Sequence, residues 1–163
     1  MDNRLNMIHE GTHGIQAMDL LGRKVLMEGG RGLQLLAARI NATIEKGIQR
    51  PELAVHANAL GKALQHVGSA TKAAWATGEP GAALANAVPY MQAFGHTVLA
   101  WLWLDVVLAS LSSPQDTAAS AAHTGRMGAM RYFYHYELPK IDAWLKVVES
   151  RDQTCADLPE EAF

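Results

Sequence analysis

The chain has 163 residues, with 14 Lys and Arg against 16 Asp and Glu and a formal net charge of −2. That length suffices for one domain with a sizeable core, and the balance offers no basic patch for nucleic acid or an acidic membrane surface. The single cysteine, Cys155, excludes an intrachain disulfide framework and fits a reducing, cytoplasmic compartment; the polar start, Met-Asp-Asn-Arg-Leu-Asn, does not read as a secretory signal.

The composition favours helix formers, and short alternating strand patterns are absent, so the chain reads as all-α. A first short helix begins after Thr12 and stops at Gly29-Gly30. A second runs from about Gly32 to Lys46, with Leu33, Leu36, Ala37, Ile40 and Ile44 on one face. Arg50-Pro51 punctuates next, with Pro51 suited to a first helical turn. The third helix, about 52–77, carries Leu53, Ala57, Leu60, Leu64, Val67, Thr71 and Ala74 at alternating steps of four and three, an a/d seam of the kind found in bundles.

After the turn Gly78-Glu79-Pro80-Gly81, a fourth helix is expected from about 82 to 112, bent at Pro89. Its apolar run, Thr97 to Leu111, is shorter than the roughly 20 residues that span a bilayer, and Asp105 interrupts it, so no membrane span is expected. A buried Asp105 needs a partner, for which Arg126 or Arg131 is expected. The fifth helix, about 115–137, places Ala118, Ala122, Gly125 and Ala129 on a small-residue face suited to close packing. Tyr132, Phe133, Tyr134 and Tyr136 read as core and interface. Beyond Leu138-Pro139, Ile141, Trp144, Leu145 and Val148 make a last amphipathic piece.

Short turns between long helices imply an up-down-up-down four-helix bundle over residues 31–150. Residues 1–30 precede it as a loop and short helix on its edge, and 151–163 form a frayed acidic tail.

Residues 7–16, Met-Ile-His-Glu-Gly-Thr-His-Gly-Ile-Gln, carry the chemistry and admit two readings. In the first, His9-Glu10-x-x-His13 is a zinc-peptidase pattern, since histidines four apart on a helix can share a metal while the glutamate acts as base. Against it stand the helix-weakening Gly11 and Gly14, and a third ligand for which Asp19 and Glu28 are the downstream candidates, so no metal is expected. In the second, Glu10-Gly11-Thr12 is a tight turn that delivers a carboxylate, with Thr12 as the N-cap of the helix that follows. His56 and His66, ten residues apart, fall on nearby but not identical helix faces and suggest no ligand set.

The segment from Arg4 to Lys24 resembles the C-terminal part of acyl-CoA dehydrogenases, where a Tyr-Glu-Gly-Thr-Asn-Gly-Ile-Gln run carries the catalytic base. The resemblance extends through Asp19-Leu20-Leu21-Gly22-Arg23-Lys24. The bundle is similar to the extra helical domain of the larger members, those acting on short or sulfur-containing acyl thioesters, and Tyr132 to Pro139 is similar to the family's ending. The resemblance implies FAD as cofactor, Glu10 as the α-proton-abstracting base, Thr12 and Gly14 against FAD, and His9 and Gly11 beside the acyl substrate. His9 replaces the family's usual tyrosine and His13 its frequent asparagine. It further implies a C-terminal fragment, inactive alone, whose partners are acyl-CoA and the missing N-terminal dehydrogenase domains; a homodimer is expected. The alternative is a free-standing helical interaction module.

Overall fold

The computed structural model describes residues 12–111 and 120–162. It is all-helical among those residues, with no strand. α1, His13–Asp19, continues into a π turn at Leu20–Lys24. α2 spans Met27–Ile48, α3 Ala54–Ala74, α4 Pro80–Leu84 and α5 Ala87–Leu111. α6 covers Ala121–Tyr132, a second π turn Phe133–Glu137, and α7 Lys140–Ser150.

The third seam packs as its spacing implies. Leu53, Ala57, Leu60, Val67, Thr71 and Ala74 are buried, while Leu64 is only half-buried; Ala63 and Ala70 complete the inner face of α3. α3 and α5 form the inner pair. α2 packs on one side of that pair and α7 on the other, and among the described residues α2 and α7 have no substantial contact with each other. Contacts along the helices give their directions. Gly47 of α2 meets Ala57 of α3, Thr71 of α3 meets Tyr90 of α5, and Ala100 of α5 meets Tyr134. With the α6–α7 run taken as one bent rod, the direction alternates at each step, giving the up-down-up-down order.

Several local expectations change. The break in the fourth helical stretch lies at Ala85-Asn86, not at Pro89. Pro89 instead occupies the first turn of α5, where a missing N–H leaves no helical bond unmade. α6 starts at Ala121, capped by Ser120, whose hydroxyl accepts from the His123 N–H at 3.0 Å. Its expected small-residue face is not the packed one: Ala122 and Gly125 are exposed, whereas His123, Met127 and Met130 are buried. Ala118 lies outside the described residues.

Asp105 is exposed, not buried. It accepts a hydrogen bond from Thr43 Oγ1 on α2 at 3.3 Å, rather than being held by an arginine in the core. An all-apolar helix gives no sequence signal for which face turns inward, which is why its one carboxylate was misplaced in burial. α5 is also longer than its apolar run. It has 25 residues, and an 18-residue stretch of it has a mean hydropathy of 1.5, so it is long and apolar enough to cross a membrane by length and composition. In this fold one face, Tyr90, Ala93, Thr97, Ala100, Leu104 and Val107, is buried against the rest of the bundle.

The aromatic cluster divides. Tyr134 is buried and donates to the Ala100 carbonyl at 3.0 Å, and burial pushes its phenol far above the usual range. Tyr132 and Tyr136 are exposed, with ring centroids 5.0 Å apart.

Candidate functional site

His9, Glu10 and Gly11 lie outside the described residues. The segment that carries them leads directly into α1, whose position the structure gives in detail. Ala17, Leu21 and Val25 recur every four residues and are buried in the common core, with α1 seated on α5. The π turn shifts the backbone pairing, and the Trp75 indole N–H at the end of α3 donates to the Leu21 carbonyl at 3.2 Å. Gly22 lets α4 approach: a β-carbon there would meet Leu84 Cδ2 at 3.2 Å. Three elements of the bundle therefore fix one short helix.

At the head of that helix, Thr12 stands in the N-cap position, but its hydroxyl does not cap a backbone N–H. Its φ and ψ, −97° and −10°, are already helical rather than extended, which points the side chain away from the first turn. The hydroxyl instead accepts from Gln16 Nε2 at 3.1 Å, while the Thr12 carbonyl accepts from the Gln16 N–H at 2.8 Å. Gly14 is exposed, and among the described residues no atom outside its own helix backbone and chain neighbours lies within 4 Å of where a β-carbon would be.

The first turn thus presents an exposed hydroxyl and backbone N–H groups ahead of Gln16 that no intrahelical carbonyl can reach. His13 is exposed as well. The two carboxylates considered as third metal ligands are each engaged by an arginine, Asp19 with Arg23 Nε at 2.5 Å and Glu28 with Arg31 at 3.4 Å. The Arg23 hydrogen bond holds the Asp19 carboxyl below its ordinary range. Among the described residues no group of three His, Cys, Asp or Glu is arranged to hold a metal.

Other polar pairs bind the bundle together. His66 bridges α3 to α7, with Nδ1 3.2 Å from Asp142 and Nε2 3.4 Å from Glu149. His96 of α5 lies 3.5 Å from Glu137, which also pairs with Lys140 at 2.6 Å. Ser110 and His123 share a buried contact at 3.0 Å. Apart from Glu137–Lys140, three residues apart, these partners lie 13 (Ser110–His123) to 83 (His66–Glu149) residues apart, so no spacing rule in the sequence reveals them.

The whole is a helical-bundle domain with the short helix α1 seated on α5. The family described as acetyl-CoA dehydrogenase C-terminal like matches residues 36–159. The chain belongs to this family of acyl-CoA dehydrogenase C-terminal regions. It is 37% identical over 103 residues to 3-methylmercaptopropionyl-CoA dehydrogenase of Ruegeria pomeroyi, covering 61% of this chain and 18% of that protein. It is 25% identical to the broad-specificity linear acyl-CoA dehydrogenase FadE5 of Mycobacterium tuberculosis, over 99% of this chain and 28% of the relative. A butyryl-CoA dehydrogenase of Syntrophomonas wolfei is 27% identical, over 99% of this chain and 27% of the relative. The chain therefore spans well under a third of the length of these relatives.

Proposed function

We propose that this chain is the C-terminal portion of a FAD-dependent enzyme that oxidises the α,β carbon–carbon bond of an acyl-CoA thioester, with Glu10 as the base that removes the α-proton. One observation carries the reading. The alignments with FadE5 and with butyryl-CoA dehydrogenase each take in 99% of the chain, so they include the Glu10 segment as well as the bundle.

The chemistry assigned to this chain is proton removal and orientation. A carboxylate held over the α-carbon takes the proton, and Gly11 permits the tight backbone path that brings it there. FAD, when bound, supplies the hydride acceptor. Thr12 and Gly14 line the exposed first turn of α1 and would lie against the cofactor, while His9 and Gly11 would border the substrate. The bundle's part is to hold α1 rigid through Trp75, Leu84 and α5.

The test is Glu10→Gln in the full-length dehydrogenase. Gln keeps shape and reach, so FAD content and acyl-CoA binding should persist while flavin bleaching by substrate slows by about 10²–10⁴-fold. Near-normal bleaching would assign the base to another carboxylate. The 163-residue chain alone should show neither bleaching nor tight FAD binding.

A further inference from the structure

We propose that the cleft between the π turn of α1 and the start of α2 binds a single-chain amphiphile with an anionic head. The cleft has a volume of about 600 Å³, within the range of small-molecule sites. Its wall is apolar: Leu20, Val25, Leu33, Leu36 and Phe94. These residues come from three elements, and Phe94 of α5 closes the inner end.

The charges at the rim give the head group its sign. Lys24, Arg31 and Glu28 stand there. Arg31 and Glu28 are paired at 3.4 Å and cancel. Among the described residues Lys24 makes no hydrogen bond or ion pair; it acts on Asp19 at longer range, and Asp19 is hydrogen-bonded to Arg23. With Asp19 and Glu28 each matched by an arginine, one net positive charge faces a water-accessible apolar cleft, an arrangement complementary to a chain that ends in a carboxylate or phosphate.

The backbone that shapes this cleft is unusual. Glu28, Gly29 and Gly30 all have positive φ, 51°, 65° and 84°. The chain doubles back on itself there, so that a β-carbon on Gly30 would lie 3.4 Å from the Val25 carbonyl oxygen. A glutamate in the left-handed region is disfavoured intrinsically, and such residues concentrate where the surrounding geometry serves a ligand. The reversal brings Glu28, Arg31 and Gly32 to the cleft beside Lys24 and Val25 of the π turn's end.

Binding is tested on the full 163-residue chain by calorimetry and amide chemical shifts, with decanoate, decyl phosphate and decyltrimethylammonium as probes, all below their micelle concentrations. Saturable binding of both anions, with shifts confined to residues 20–36 and 94 and tenfold or weaker affinity for the cation, is the expected result. Lys24→Glu, at an exposed position, should weaken decanoate at least tenfold. Leu36→Trp should fill the cleft and abolish binding while the helical circular dichroism is retained.

Equal affinity for anionic and cationic probes, affinity unchanged in Lys24→Glu, or no saturable binding would each overturn the proposal. So would concentration-dependent dimerisation that protects the same amides, because a second copy would then be the occupant. The readout needs no flavin and no turnover, so failure here leaves the dehydrogenase reading untouched, and the converse holds.

Discussion

Thr71 and Tyr90 join the two inner helices through a buried hydroxyl pair 2.7 Å apart. Thr71 Oγ1 also donates to the Val67 carbonyl at 2.8 Å, so its single proton is committed and Tyr90 must be the donor between them. The order Tyr90 to Thr71 to Val67 is thereby fixed, and Tyr90, with no exposed surface, has Thr71 as its one acceptor among the described residues. Burial pushes the Tyr90 phenol above its usual range.

This asymmetry makes the two truncations unequal. Tyr90→Phe removes a donor that Thr71 can do without, at about 0.5–1.5 kcal/mol. Thr71→Val strands the Tyr90 hydroxyl in the core, at about 1–3 kcal/mol. Urea unfolding should rank Thr71→Val as the worse variant, and the double mutant should cost less than the two added together. The reverse ranking would mean that the proton order is wrong.

The packing register of α3 can be tested at two neighbouring leucines. Leu60 is fully buried, so Leu60→Ala should destabilise by about 2–5 kcal/mol. Leu64 is half-buried and should lose clearly less, about 1–2 kcal/mol. Equal losses would move the centre of the seam toward Leu64.

His56 makes stability depend on pH in a definite sense. Burial, and then the Arg131 cation, push its imidazole below the ordinary value. The unfolded chain therefore takes up a proton before the folded one does. The His56 contribution is fully present above about pH 6.5 and is lost as pH falls toward the depressed folded value. His56→Gln should flatten the fall in melting temperature between pH 7 and pH 5 relative to the parent. An unchanged slope would remove His56 as its source.

The Asp19–Arg23 pair gives a local test of the geometry around α1. The Arg23 hydrogen bond is the leading cause of the low Asp19 value. Arg23→Ala should return the carboxyl toward its ordinary value, followed by carbon-detected NMR titration. Little change in global stability should accompany it, because both groups are solvated. A titration midpoint that does not move would mean that the pair does not persist in solution.

The sequence was informative where spacing maps directly onto burial. The steps of four and three in α3 predict its inner face at every position but Leu64, and Gly29-Gly30 marks a real chain reversal. It was uninformative where composition is uniform. α5 is apolar all round, so neither its exposed side nor the solvation of Asp105 could be read. The small residues of α6 misled because an alanine or glycine fits an exposed face as well as a packed one. Around the candidate site, the Glu10 run and Thr12 were recognisable as a motif. The Trp75 bond to Leu21, 54 residues away, and the cleft above Lys24 arise only once distant elements meet.

The separation of α2 from α7 by the inner pair has an energetic consequence. Each outer helix contributes its stability through the same two partners but across different surfaces, so damage to one leaves the other's seat intact. Substitutions at Ile40 and Leu145, both buried on opposite flanks, should combine nearly additively, within about 0.5 kcal/mol. Core substitutions in α3 or α5 should instead couple with both. The domain then behaves as a two-helix keel with independent outriggers, and its outer helices can accumulate change separately without jeopardising the platform on which α1 rests.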